Sequence, residues 1–159
     1  MRRIVIAHND KSQSVVAFDS DIPALPMSGV GTLFRAWSAD EPALYPDGGR
    51  NPDASGLFPP LGGMRVQFCE YEPGKRVESV GTSDESGVPW EENGMHKTDT
   101  TDISVVLDGE MVLGIDNDVE ITLRKGDTTV IAGARHYWRN ATDRPATVVY
   151  FMVGARRTP

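Results

Sequence analysis

No window of ten or more residues in this chain carries an apolar stripe at helical spacing. From Met95 onward the chain is instead a series of short β-rich runs: Ile103 to Leu107, Met111 to Ile115, Val119 to Leu123, Thr128 to Ile131 and Thr147 to Val153. Asp108-Gly109, Asn117-Asp118, Lys125-Gly126-Asp127 and Asp143-Arg144-Pro145 separate them, each a turn former. Strands at this spacing with no helix between them cannot build a parallel βαβ sheet, so they imply an all-β antiparallel sandwich or small barrel.

Upstream, Ile4 to Ile6 and Val15 to Phe18 flank a polar turn on Asn9, Asp10 and Ser12, a hairpin signal. From Asp19 to Gly63 proline and glycine recur between short apolar pieces (Leu33-Phe34, Trp37, Leu57-Phe58), which predicts a long ordered arm or lid whose apolar pieces lie against the barrel. Met64 to Tyr71 alternates Met64, Val66 and Phe68 with Arg65, Gln67 and Cys69, and ends at Pro73-Gly74. Gly81 to Asn93 is polar, and its acidic pairs Asp84-Glu85 and Glu91-Glu92 read as solvated loops. One domain over 1–159 is expected, with hairpin and arm in 1–63, the barrel in 64–153 and a tail in 154–159.

The chain carries 23 acidic and 16 basic residues, a formal charge of −7. Such a surface repels phosphate backbones and anionic bilayers, so neither nucleic acid nor membrane is expected as a partner. Cys69 is the single cysteine, which allows no internal disulfide. With no apolar run of signal or membrane-spanning length, a reduced cytoplasmic protein is expected.

Two stretches carry chemistry: GMHKTDTTDISVVLDGE at 94–110 and GDTTVIAGARHYWRN at 126–140. If Met95 to Leu107 is one strand, His96, Thr98, Thr100, Asp102, Ser104 and Val106 share a face. His136, Trp138 and Asn140 form a second set. Two imidazoles and a carboxylate on neighbouring strands can bind a divalent metal or act as a proton-transfer cluster. Periodicity alone points the other way, since Ile103, Val105 and Leu107 form the more apolar face and would send the His96 face to solvent. His8 reads as a surface residue, Cys69 as a small apolar filler, and Trp90, Trp138, Tyr71, Tyr150 and Met152 as either core or cavity lining.

The two stretches resemble the paired motifs of the cupin superfamily, a six- to eight-stranded jelly roll. His96 falls on the first ligand of motif one, Thr98 on its second histidine, Asp102 on its glutamate and Gly109 on its closing glycine. In motif two, Gly126-Asp127 falls on the turn, Ile131-Ala132-Gly133 on P-x-G, His136 on the last ligand and Asn140 on the final asparagine. HKTDTTD further resembles small single-domain cupins with H-x-T-x-T-x-D. The resemblance implies a jelly-roll β-barrel and a homodimer in which the N-terminal hairpin reaches across. It also implies an interior site.

Three functions remain open from the sequence. The first is an enzyme in which His96, Asp102 and His136 move protons on an oxygenated small-molecule substrate, with Thr98, Thr100, Trp138, Tyr150 and Met152 binding it. That suits dehydration, decarboxylation, isomerisation or another lyase reaction, with the carboxylate favouring a charged imidazole. The second loads the same two histidines and aspartate with one divalent metal (Fe, Mn, Ni or Zn) for oxygenase or lyase chemistry. The third is a binding module without turnover. The cofactor is accordingly none or one such metal.

Overall fold

Strands form wherever β-branched residues alternate between turn formers, and each has a partner whose register is set by those turns. The structure is a computed structural model, and it describes residues 1–27, 29–51, 54, 56–78, 88–91 and 93–158. Its elements there are β1 (Arg2–His8), β2 (Ser14–Asp21), β3 (Ala24–Met27), β4 (Gly31–Ala39), β5 (Met64–Tyr71), β6 (Thr100–Asp108), β7 (Glu110–Ile115), β8 (Val119–Arg124), β9 (Thr128–Ala132), β10 (Tyr137–Arg139) and β11 (Ala146–Gly154). All are strands, as the absence of helical periodicity requires. No helix among the described residues is long and apolar enough to cross a membrane.

β1 and β2 pair as the expected hairpin, turned at Ser12 with φ +58°. The remaining strands make two antiparallel sheets, one ordered β3-β4-β5-β11-β6-β9 and one ordered β10-β7-β8. Asn117 and Asp118, at φ +61° and +57°, turn β7 into β8, a conformation their short polar side chains tolerate. Gly109, at φ +73°, joins β6 to β7 where an added Cβ would lie 2.6 Å from the Pro145 carbonyl, so only glycine fits.

The Gly/Pro-rich stretch corrects one expectation. Residues 24–39 are not an arm, because β3 and β4 complete the larger sheet on β5. Pro26 hides this in the sequence, and it is tolerated because β3 is the sheet's edge strand, where a missing donor costs no ladder bond. The apolar pieces do lie inward: Leu33 is buried, and Leu57 and Phe58 pack against the core. β10, three residues long, was too short for its alternation to register. The pair Asp84-Glu85, with most of the stretch Gly81 to Asn93, and Glu92 lie outside the described residues.

The inner faces of the two sheets enclose the core, which includes Met111, Leu113, Val106, Val148, Trp138, Tyr150 and Met152. Its unusual feature is polarity. On β6 the inward residues are Thr100, Asp102, Ser104 and Val106, while Ile103 and Leu107 stay 43% and 38% exposed. On β5, Arg65, Gln67, Cys69 and Tyr71 face in and Met64 faces out. The solvent-facing reading of the His96 face is therefore overturned.

Candidate functional site

His96 and His136 meet through a backbone device. Each donates its amide N–H to the other's carbonyl, at 3.0 and 2.9 Å, an isolated antiparallel bridge that puts both side chains on one face. The expected strand from Met95 thus begins only at Thr100, and His96 sits on this bridge before it. Gly94, at φ +77°, makes the approach feasible, since a Cβ there would lie 2.2 Å from the Val77 carbonyl. Arg157 fastens the two segments from the tail, bonding Asp99 at 2.6 Å and the carbonyls of Thr98 and Gly133 at 3.1 Å each. Asn140 holds the following turn through the carbonyls of Tyr71 and Arg144 and through Thr142.

The two imidazole centroids lie 4.4 Å apart, with Trp90 tilted over His96 at 4.0 Å. His96 Nδ1 is 3.1 Å from the Gly94 carbonyl and His136 Nδ1 is 2.9 Å from the Ala134 carbonyl. A carbonyl only accepts, so both Nδ1 atoms carry the hydrogen and both Nε2 atoms keep a lone pair. Burial drives His96 down to about 4, helped by His136 beside it and opposed by the Gly94 bond. Burial lowers His136 as well, against its bond to Ala134. Both rings are neutral near pH 7. The expectation that a carboxylate would hold one of them charged is corrected: the groups acting on the two rings are burial, the neighbouring imidazole and the Gly94 and Ala134 carbonyls.

Asp102, buried on β6, behaves in the opposite sense. Burial raises its carboxyl to about 6, with the Thr100 and Thr98 hydroxyls pulling it partly back. Its Oδ1 has no hydrogen-bond partner among the described residues. Thr98 and Thr100, bonded to each other at 2.6 Å, stand beside Asp102 rather than among the residues lining the cavity.

A cavity of about 570 Å³, its open mouth included, joins these groups. His96, Asp102 and His136 all line it, as do the expected Trp138, Tyr150 and Met152. The sheet register explains the wall: Asp102 pairs with Met152, and Tyr150 with both Ser104 and Gln67. Tyr71 and Tyr150 share a hydroxyl–hydroxyl bond of 2.8 Å at the wall. Gln67, Cys69, Leu57 and Phe58 also line it, and the sequence reading had not assigned them to the site. The inward alternation of Arg65, Gln67 and Cys69 was visible, but nothing in the sequence said which face was inside. Cys69 is buried on the cavity wall, and burial pushes its thiol up to about 12, so it is not a nucleophile at neutral pH.

The residues present do not fit a three-ligand metal site. Among the described residues no three His, Cys, Asp or Glu side chains come together closely enough to hold a metal ion, so the expected set of His96, Asp102 and His136 is not assembled as ligands. Asp102 stands beside the threonine hydroxyls instead, on the same cavity wall.

Residues 88–153 match the Cupin domain family model. Phomopsin biosynthesis cluster protein D of Diaporthe leptostromiformis is 44% identical over 52 residues, 33% of this chain and 28% of that protein. The cupin-domain-containing oxidoreductase srdB of Neurospora crassa is 33% identical over 94 residues, 58% of this chain and 48% of that protein. The chain thus spans less than half the length of either curated relative. A solved structure from Klebsiella pneumoniae subsp. pneumoniae, a protein with a double-stranded beta-helix domain, superposes with a TM-score of 0.53 at 14% identity, covering 84% of this chain and 85% of that one. The chain thus carries a match to the Cupin domain over residues 88–153, and the double-stranded β-helix fold agrees with it.

Proposed function

We propose that the cavity is the active site of an enzyme that moves protons on an oxygenated small molecule, in the manner of a lyase, dehydratase, decarboxylase or isomerase. One observation carries this reading: a carboxyl raised to about 6 shares a cavity with two neutral imidazoles whose Nε2 atoms are unprotonated. A base that titrates near the working pH combines a useful ionised fraction with a real driving force for proton transfer. Asp102 is mostly ionised at pH 7, takes a proton from substrate, and as the resulting acid can return it to another atom. His96 and His136, lacking a cavity-facing proton, accept hydrogen bonds from substrate hydroxyls and hold them toward Asp102. The relative's name, a biosynthesis cluster protein, supports a role in making a secondary metabolite.

The name oxidoreductase on a second relative favours the metal-dependent alternative. The geometry supports it less, because the three side chains do not converge. Incubating the protein in heavy water with hydroxylated ketones and carboxylates, and following deuterium uptake or water loss by mass spectrometry, tests the proposal. Protein-dependent exchange that falls at least about a hundredfold in Asp102→Asn is expected. Saturable binding without exchange establishes the binding module instead, and exchange lost with a stoichiometric metal establishes the metal-dependent enzyme.

A further inference from the structure

We infer that this cavity selects an uncharged, flat ligand bearing at least two hydroxyl donors, a phenol or enol, and rejects carboxylates, with Gln67 as a specificity-determining residue. The inference rests on the reading of the cavity as the substrate site and adds the class of molecule it takes.

Gln67 is 1% exposed and lines the cavity. Its Nε2 donates to the Leu57 carbonyl at 3.1 Å, which fixes the amide's orientation because that carbonyl can only accept. Its Oε1 is then a buried acceptor, and among the described residues it has no partner. Asp102 Oδ1 is a second acceptor in the same condition. The Nε2 atoms of His96 and His136 add two more. Of the two phenolic protons on Tyr71 and Tyr150, one is used between them.

Buried acceptors left unpaired are costly, so the molecule that binds best brings donors to them. An ether of the same shape leaves Gln67 and Asp102 unpaired, and sites built to bond a hydroxyl discriminate strongly against analogues lacking it. A carboxylate is disfavoured for a separate reason. Among the described residues no Arg or Lys lines the cavity, and a second negative charge would share it with Asp102. Arg65, across from Met152 in the register, is bonded to Asp40 at 2.5 Å and to the Ala39 and Met64 carbonyls. The apolar walls at Phe58, Trp90 and Trp138 supply the flat surfaces for a ring.

Resorcinol, resorcinol dimethyl ether and dihydroxybenzoate make a matched test, with binding read at pH 7.5 by calorimetry and by quenching of Trp90 and Trp138 fluorescence. Resorcinol should bind with the ether and the benzoate each at least about tenfold weaker. Gln67→Leu should shrink the resorcinol-to-ether preference several-fold, while Gln67→Glu, which retains acceptors, should keep it. The comparison within wild type does not depend on either variant folding. An ether or benzoate that binds as well as resorcinol, or no binding of all three at millimolar concentration, overturns the inference. Because binding is read without turnover, the preferred order seen with no deuterium exchange sinks only the catalytic reading. Exchange on substrates that show no such order sinks only this one.

Discussion

Asp102→Asn should make the protein more stable at neutral pH while removing its chemistry. An ordinary aspartate ionises near 3.8, and burial raises this one to about 6. A raised folded-state value means that the fold prefers the protonated form, so the group's contribution is fully present below 3.8 and is lost as pH rises through 6. At 1.36 kcal/mol per pH unit the loss above pH 7 is about 3 kcal/mol. Asparagine keeps the shape without the charge, so the variant should gain that amount at pH 7.5 and only about 0.5 kcal/mol at pH 4. His96 and His136 weigh on both proteins alike in acid and cancel in the difference. Urea unfolding followed by tryptophan fluorescence at the two pH values measures it. A variant no more stable than wild type at pH 7.5, or a gain unchanged at pH 4, would refute the raised carboxyl and with it the proposed base.

Other consequences concern the frame around the site. Tyr71→Phe and Tyr150→Phe should each cost about 1 kcal/mol by stranding the other's hydroxyl, and the double variant should cost less than their sum, which a double-mutant cycle of unfolding measures. Gly94→Ala should cost at least about 2 kcal/mol, seen as a fall in Tm, because the Cβ meets the Val77 carbonyl in a left-handed backbone. Arg65→Met should cost about 3 kcal/mol in the same assay, at the low end for a broken buried pair because the Asp40 side chain is 29% exposed.

How far the sequence reaches is clearest on β5 and β6. The bounds of β5 follow from alternation and Pro73, and the turns on Gly109, Asn117 and Gly126 place the later strands. Which face is inside does not follow. Hydrophobic alternation assigns the apolar face to the core, yet here Thr100, Asp102, Ser104, Arg65 and Gln67 are buried while Ile103 and Met64 are partly exposed. Asp102 and Gln67 among them line the cavity, and periodicity cannot distinguish such a wall from a wet surface. The motif resemblance implies an interior position for His96, Asp102 and His136, and all three are buried on the cavity wall. It also carried over the ligand geometry, which is not assembled, and it had nothing to say of Gln67 on a strand outside both motifs.

The most direct test of the account is the pH dependence of deuterium exchange in wild type and Asp102→Asn, each measured with chelator and with added divalent metal. The proposed chemistry predicts a rate that rises with pH through about 6 as Asp102 ionises, a limb absent from Asp102→Asn and unmoved by metal or chelator. A limb that slides with metal concentration would contradict it, since protons would then be competing with a metal for the imidazoles. An unchanged profile in Asp102→Asn would remove the carboxylate from the reaction altogether.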